Sequence, residues 1–150
     1  SFDMKIVFYD PFIDSSTDTE KKVELDELLK TSDFISIHIP KNKETKNLIS
    51  KEKLSLLRKE SVIINTSRGG LLDEEEVFNL VKENKLYSAA LDVYATEPHK
   101  IKKEYENSRV ITLPHLGAST KEAQIRAGKQ LAKNIKDILN NDLSSVINKN

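Results

Sequence analysis

The stretch SVIINTSRGG, residues 61–70, decides the fold and points to the function. It begins with an apolar run, residues 62–64, of the kind that forms a strand buried on both faces. The chain then turns polar and presents Arg68, followed by Gly69 and Gly70. Because glycine allows positive φ and close approach to a ligand, the pattern predicts an arginine beside open space at the end of a buried strand. Ligands of open α/β sheets bind there, although an arginine on an ordinary surface turn has the same local pattern.

Strand and helix patterns alternate along the chain. Short apolar runs predict strands at residues 5–9, 34–39, 62–64, 88–94 and 110–113. Apolar residues at helical spacing predict helices at residues 23–30, 51–58, 74–84 and 120–140, with residues 14–22 as a loop. The predicted helix caps are Ser50, Asp73 with Glu76, and Ser119 with Glu122. This alternation predicts an α/β fold with a doubly wound, mostly parallel sheet that has helices on both faces.

Composition excludes several classes of function. The 150 residues carry 24 basic and 24 acidic side chains, so there is no general attraction to nucleic acid or to anionic membranes. The chain has no cysteine, which rules out disulfides, thiolate metal sites and cysteine nucleophiles. No apolar run approaches the ~18 residues of a membrane span, and no secretory signal is visible. The sequence therefore predicts a cytoplasmic domain without a nucleic-acid or membrane partner and without a metal site.

The polar residues that could carry chemistry share one predicted position. Each lies at the carboxyl end of a predicted strand or just after it, and the carboxyl ends of parallel strands lie along one edge of a sheet. These residues are Asp10, His38, Thr66, Ser67, Arg68, Asp92 and His115. Polar groups scattered at random would fall at both edges, so their shared position predicts one crevice lined by segments far apart in sequence.

Three side chains have complementary chemistry. Arg68 offers a planar fork that suits a carboxylate. His115 can move a proton near neutral pH, and Glu97 can hold an imidazole in one tautomer and stabilise its charged form. Together they would serve redox chemistry at a carbon that bears a hydroxyl or carbonyl group. His38 fits a structural or wall position better than that of a second base, and no role is assigned to His99.

Asp10 has two interpretations. An acid at the end of a strand in a βαβ unit can bind the ribose hydroxyls of an adenosine and repel a 2′-phosphate, which would favour NAD over NADP. An Asp-Pro turn gives the same pattern, and turns of this kind are common. Because no glycine-rich loop precedes Asp10 in this sequence, the residues alone favour the turn.

Several sequence blocks resemble those of a known family. The blocks are NTSRGGLLDEEEV (65–77), ALDVYATEP (90–98), LPHLGASTKEAQ (113–124), FISIHIP (34–40) and YDPF (9–12). Taken in chain order they resemble the D-isomer-specific 2-hydroxyacid dehydrogenases over essentially the whole chain. The block HLGASTKEAQ is most similar to the branch of the family that acts on D-3-phosphoglycerate. The alternatives that stay open are a glyoxylate or hydroxypyruvate reductase, a non-catalytic NAD-sensing protein similar to a corepressor, and a structural α/β domain.

The resemblance implies a role for each matched residue. Arg68 would bind the substrate carboxylate, His115 would donate or accept the proton, and Glu97 would assist His115. The resemblance also implies NAD as cofactor, a small 2-hydroxy or 2-oxo acid as substrate, and a homodimer in the full-length enzyme. The implied cofactor-binding residues are Asp10, His38, Ile39, Pro40, Thr66, Ser67, Arg68, Asp92, His115, Leu116, Gly117 and Ala118.

The chain departs from the family in one large respect. The family places a strand and a G-x-G-x-x-G loop before the first segment seen here, and this sequence lacks that motif. We therefore expect an incomplete Rossmann-like domain over residues 1–140, and a tail at residues 141–150 that leads toward an absent substrate domain. The strands beside the absent one would keep an unpaired edge, which favours aggregation. We expect the fragment alone to bind NAD weakly and to be inactive.

Overall fold

The computed structural model describes residues 3–13, 16, 19–100, 103 and 109–144. These residues form two compact units, Ser1–Pro114 and His115–Asn150. The predicted tail at residues 141–150 lies mostly outside the described residues, since nothing after residue 144 is described. No described helix is both long enough and apolar enough to cross a bilayer.

Strands and helices alternate from α1 to β5, over the middle of the described chain, as the sequence predicts. The first unit contains all the described strands and three helices, and the second contains one helix. In chain order the elements are β1 (Ile6–Phe8), β2 (Glu20–Lys22), α1 (Leu25–Thr31), β3 (Phe34–Ile37), α2 (Lys51–Leu54), β4 (Val62–Asn65), α3 (Glu74–Lys82), β5 (Ser88–Leu91), β6 (Val110–Thr112) and α4 (Lys121–Leu139).

The main sheet is parallel throughout. Its strand order is β3-β4-β5-β6, so each strand pairs with the next one along the chain. The connections that contain α2 and α3 carry the chain back between parallel neighbours, which is the usual reason for a helix in that place. The predicted α/β class with a parallel sheet is confirmed.

A second, two-stranded sheet pairs β1 with β2 in parallel. The prediction of a loop over residues 14–22 is therefore wrong at Glu20–Lys22, which form a strand by backbone pairing with β1. The sequence of this strand, EKK, is polar and does not indicate a strand. Among the described residues, β1 and β3 each pair on one side only. The expectation of an absent strand between them stays a prediction.

The core lies on one face of the main sheet. Ile35, Ile37, Ile63 and Leu91 are buried on this face, and the intervening residues of β3 and β4 are exposed or half-buried. This alternation follows from the two-residue period of a strand. The helices add buried side chains to the same cluster, namely Leu29 from α1, Leu54 from α2, and Val77, Phe78, Leu80 and Val81 from α3. The apolar stripe predicted for residues 74–84 is confirmed.

Several elements end earlier than predicted. Helix α2 stops at Leu54, because the amides of Leu56 and Leu57 donate to carbonyls three residues back and so form turns. Strands β3 and β5 stop at Ile37 and Leu91, and the polar segments that follow them leave the sheet. Element boundaries are the features that local sequence patterns determine least well.

Helix caps agree with the sequence at two positions and differ at a third. Ser50 and Asp73 accept hydrogen bonds from the amides of Lys53 and Glu76, as predicted. The reciprocal bond of a capping box does not form at α3, because Glu76 pairs with Lys51 at 2.8 Å and the Asp73 amide donates to Ile49.

The cap of α4 is Thr120, which accepts a hydrogen bond from the amide of Ala123 at 3.1 Å. The prediction of Ser119 is thus wrong by one residue. Both residues have a hydroxyl group that can cap a helix, so the sequence alone does not separate them. The predicted apolar face of α4 is present, but its members Leu131, Ile135, Ile138 and Leu139 are all exposed.

The cap assignment predicts different effects for neighbouring substitutions. Thr120→Ala should remove the hydrogen bond to Ala123 and destabilise α4 by about 1 kcal/mol. Ser119→Ala should leave that bond intact and change the free energy of unfolding much less. Circular dichroism during urea unfolding of the two variants measures the difference. Equal effects, or a larger loss for Ser119→Ala, would contradict the assignment.

Candidate active-site edge

Register brings three of the predicted residues to one edge of the main sheet. Asn65 pairs with both Ile37 and Leu91, so the next residues, His38, Thr66 and Asp92, leave the sheet at the same level. His38 and Thr66 are exposed, whereas Asp92 is buried. An edge with exposed polar groups and a buried carboxylate suits a polar ligand better than an apolar one.

Asn65 organises the turn that carries Arg68. Its side chain is fully buried, and Oδ1 accepts hydrogen bonds from the Ser67 amide at 3.1 Å and the Ser67 hydroxyl at 3.0 Å. Its Nδ2 donates to the carbonyl oxygen of Arg68 at 2.9 Å. A buried amide with several local partners fixes a loop firmly. No role for Asn65 was predicted, although its position as the first polar residue after an apolar run is a signal that sequence reasoning could have used.

The Arg68 side chain is exposed at this turn. Its Nη1 donates to the carbonyl oxygen of Ser67 at 2.6 Å. This bond occupies one part of the guanidinium, and the planar group offers further donors in a fixed fork. Arg68 therefore stands where it can reach a small anion, on a backbone held by Asn65.

Gly69 is required by the close approach of two loops. A Cβ added to Gly69 would lie 1.9 Å from the carbonyl carbon and oxygen of Tyr94, a distance that no side chain tolerates. Gly70 has a φ of 75°, a backbone conformation that glycine adopts readily. The predicted positive φ is present at Gly70, whereas the close approach at Gly69 is to the loop after β5 and not to a ligand.

That neighbouring loop carries Glu97. The Tyr94 amide donates to Oε1 of Glu97 at 3.0 Å, and the Glu97 residue is exposed. Glu74, the first residue of α3, accepts hydrogen bonds from the Gly70 amide at 2.9 Å and from the Ala95 amide at 2.8 Å. The turn after β4 and the loop after β5 are therefore joined, although their sequences are separate.

His99 has a structural position that the sequence did not indicate. Its ring stacks on Tyr94 with centroids 4.0 Å apart and an interplanar angle of 3°, and lies 6.0 Å from Phe78. Its Nε2 is buried. The stack attaches the end of the Glu97 loop to α3.

Asp10 and His38 make local hydrogen bonds. Oδ1 of Asp10 accepts from the Phe12 amide at 2.8 Å, which is the turn that an Asp-Pro sequence predicts. His38 Nε2 lies 2.7 Å from the Ser36 hydroxyl. Asp10 follows β1 and so belongs to the two-stranded sheet. The ribose-binding role of Asp10 and the cofactor-lining role of the segment from His38 to Pro40 stay predictions.

The remaining predicted residues lie in the second unit. His115 begins it with a φ of 58°, an uncommon backbone conformation that histidine adopts more readily than most residues. Leu116 accepts a backbone hydrogen bond from Ser119, and the Ala118 carbonyl accepts from the side chain of Gln124. The roles predicted for His115, Leu116, Gly117 and Ala118 stay predictions.

Among the described residues, no group of histidine and acidic side chains is arranged to hold a metal ion.

Comparison with known proteins identifies the family. Residues 1–117 match the family model described as "D-isomer specific 2-hydroxyacid dehydrogenase, NAD binding domain". The chain belongs to this NAD-binding domain family. The expected family and cofactor class are therefore confirmed.

Relatives of this NAD-binding domain are considerably longer than the chain. A D-3-phosphoglycerate dehydrogenase of Methanocaldococcus jannaschii is 40% identical over 99% of the chain and 29% of that relative. A hydroxypyruvate reductase of Thermotoga maritima is 40% identical over 90% of the chain and 45% of that relative. A D-lactate dehydrogenase of Aquifex aeolicus, solved with NAD and lactic acid, has a TM-score of 0.75 at 27% identity, covering 95% of the chain and 48% of that protein.

The contact between Gly69 and Tyr94 can be tested with a matched pair of glycines. Gly69→Ala should destabilise the protein by about 1–3 kcal/mol or more, because the neighbouring backbone must move. Gly128→Ala should stabilise it by about 0.5–1 kcal/mol, since nothing lies within 4 Å of its added Cβ. Urea unfolding of both variants checks this. A neutral Gly69→Ala would contradict the close approach.

Tyr94 gives a prediction at alkaline pH. Burial raises the pKa of its phenol above the usual 10.0, and the hydroxyl donates to the carbonyl of Leu91 at 2.9 Å. Because the folded pKa is the higher one, the contribution of Tyr94 to stability is complete below about pH 10 and is lost as the pH rises through the folded pKa.

Tyr94→Phe should therefore reduce the alkaline loss of stability, and at neutral pH it should cost about 1 kcal/mol for the missing hydrogen bond. The exposed Tyr87 provides the control Tyr87→Phe, which should keep the alkaline loss. Urea unfolding across the alkaline range measures both. An unchanged pH dependence in Tyr94→Phe would contradict this assignment.

Proposed function

We propose that the chain works within a longer NAD-dependent dehydrogenase that oxidises a D-2-hydroxy acid, with D-3-phosphoglycerate as substrate and 3-phosphohydroxypyruvate as product. This is the first oxidation of the phosphorylated route to serine. The observation that carries the proposal is the junction between the Arg68 turn and the Glu97 loop at the carboxyl edge of a parallel sheet. The similarity to a D-3-phosphoglycerate dehydrogenase along 99% of the chain supports the choice of substrate.

In this proposal Arg68, His115 and Glu97 each have a separate role in the reaction. Arg68 binds the substrate carboxylate through its planar fork and so fixes the orientation of the hydroxyl-bearing carbon. His115 accepts the hydroxyl proton on an imidazole nitrogen during oxidation and returns it during reduction. Glu97 holds that imidazole in one tautomer and stabilises its protonated form. When bound beside these residues, NAD would supply the acceptor for the hydride that leaves the same carbon.

Residues at the sheet edge would hold the cofactor. Thr66 and His38 present exposed polar groups, and Asp92 offers a buried carboxylate at the same level. This arrangement fits the polar nicotinamide and ribose parts of NAD. The proposal includes His115, Leu116, Gly117 and Ala118 as further lining residues, Asp10 as the ribose ligand, a homodimeric assembly and a cytoplasmic location.

A second candidate is a hydroxypyruvate or glyoxylate reductase. It is favoured by the hydroxypyruvate reductase of Thermotoga maritima, which is as similar in sequence, at 40% identity. The same arginine, histidine and glutamate would serve both reactions, since both substrates carry a carboxylate next to the reacting carbon. A group in the protein that recognises the phosphate would distinguish the dehydrogenase of D-3-phosphoglycerate from the reductase.

The function can be tested in the longer enzyme with three substrates. We expect the highest kcat/KM for D-3-phosphoglycerate, with lower values for glyoxylate and hydroxypyruvate. His115→Ala should lower kcat by about 10²- to 10⁴-fold and remove the pH dependence that comes from the imidazole. Arg68→Lys should raise KM, because a lysine cannot form the two-point contact.

Arg58→Lys is the matched control, since this exposed arginine pairs with Asp33 at 3.0 Å and should tolerate the change. Near-normal turnover of His115→Ala would refute the proton-carrier role. A preference for hydroxypyruvate or glyoxylate would select the second candidate. NAD binding without turnover of any hydroxy acid would indicate a sensor instead of an enzyme.

A further inference from the structure

We propose that Glu74 is a positioning residue that holds the Arg68 turn and the Glu97 loop in a fixed relation. This inference rests on the proposed function, because it assigns Glu74 a task in arranging two of its three catalytic residues. Glu74 itself touches neither substrate nor cofactor in this account. Its sequence context, an acidic run in which Glu75 and Glu76 follow it directly, does not assign it this task.

The main evidence is the set of hydrogen bonds that the Glu74 carboxylate accepts. Oε1 accepts hydrogen bonds from the Gly70 amide at 2.9 Å and the Ala95 amide at 2.8 Å, and Oε2 lies 3.0 Å from the Ala95 amide. One half-buried carboxylate thus binds backbone from two loops. Bonds from amides to an ionised acceptor are stronger than bonds between neutral groups.

Each bonded amide is close in sequence to a proposed catalytic side chain. Gly70 follows Arg68 by two residues, and Ala95 precedes Glu97 by two residues. The Tyr94 amide, next to Ala95, donates to Glu97 Oε1 at 3.0 Å. A shift of either loop would therefore move Arg68 or Glu97, and small displacements of catalytic groups reduce rates strongly.

The position of Glu74 in α3 supports the same assignment. It is the first residue of the helix, directly after the cap Asp73, where a negative charge interacts favourably with the helix dipole. The side chain therefore stands on a helix that packs into the core, at the end where its charge interacts favourably with the helix. The close approach of Gly69 to the Tyr94 backbone lets the two loops lie near enough for one side chain to bridge them.

The chain offers variants that separate positioning from general stability. Glu74→Ala removes every acceptor. Glu74→Gln keeps one carbonyl oxygen of the same reach but loses the charge, so it should retain part of the function. Glu75→Ala removes an exposed acid from the same helical turn and controls for the loss of first-turn charge.

Amide hydrogen exchange in the longer enzyme tests the bridge without any assay of activity. We expect Glu74→Ala to accelerate exchange of the Gly70 and Ala95 amides by about 10- to 100-fold, as for the loss of a hydrogen bond to a charged group. Glu74→Gln should give a smaller acceleration, and Glu75→Ala should leave both amides unchanged. Protection of the Ile64 amide, within β4, should stay constant in all three variants. If Glu74→Ala fails to fold, Glu74→Gln decides the test. Unchanged exchange of the Gly70 and Ala95 amides in Glu74→Gln would then refute the bridge.

Steady-state kinetics tests what the bridge does. Displacement of Arg68 should raise KM for the hydroxy acid by roughly tenfold in Glu74→Ala, and displacement of Glu97 should shift the pH profile of kcat. Glu74→Gln should recover part of both. A purely structural loss would lower the amount of active enzyme with KM and the pH profile unchanged, and that result would overturn the positioning role. The two proposals can fail separately. If the Gly70 and Ala95 amides exchange faster in Glu74→Ala but the wild-type enzyme oxidises no hydroxy acid, the proposed function is wrong and the bridge by Glu74 still stands.

Discussion

The parallel register through Asn65 is the constraint on which the rest of the structure depends. Pairing of Asn65 with Ile37 and Leu91 makes three strands end at one level, so three segments that are distant in sequence leave the sheet together. Asn65 then uses its buried amide to shape the turn that carries Arg68. A slip of the register by one residue would turn Ile63 and Asn65 toward the opposite face and would separate these segments.

A second level of organisation joins the loops beyond the sheet. Strand ends alone place loops near each other, but they do not fix the side chains that the loops carry. Gly69 allows the backbone of one loop to approach Tyr94 of the other, and the Glu74 carboxylate then binds an amide from each. The His99 ring stacks on Tyr94 at the far end of the same loop. The result is a polar edge whose geometry is set mainly by buried or half-buried groups.

Sequence patterns predicted the features that depend on local chemistry and on hydrophobic period. The apolar run before Asn65 gave a strand, the spacing of Val77, Leu80 and Val81 gave a buried helix face, and Asp73 gave a cap. Sequence patterns did not predict the features that depend on tertiary pairing. Strand Glu20–Lys22 forms by pairing with β1, and Glu74 binds amides of two loops that its own sequence context does not indicate.

We propose that Arg68, Glu97 and His115 act on one small acid, and the structure of a ternary complex would decide this. A crystal structure of the longer enzyme with NAD and D-3-phosphoglycerate gives the necessary distances. We expect a two-point contact between the Arg68 guanidinium and the substrate carboxylate, with a His115 nitrogen about 2.6–3.2 Å from the hydroxyl oxygen. A complex in which the acid contacts neither side chain, or in which Arg68 and His115 line different cavities, would contradict it.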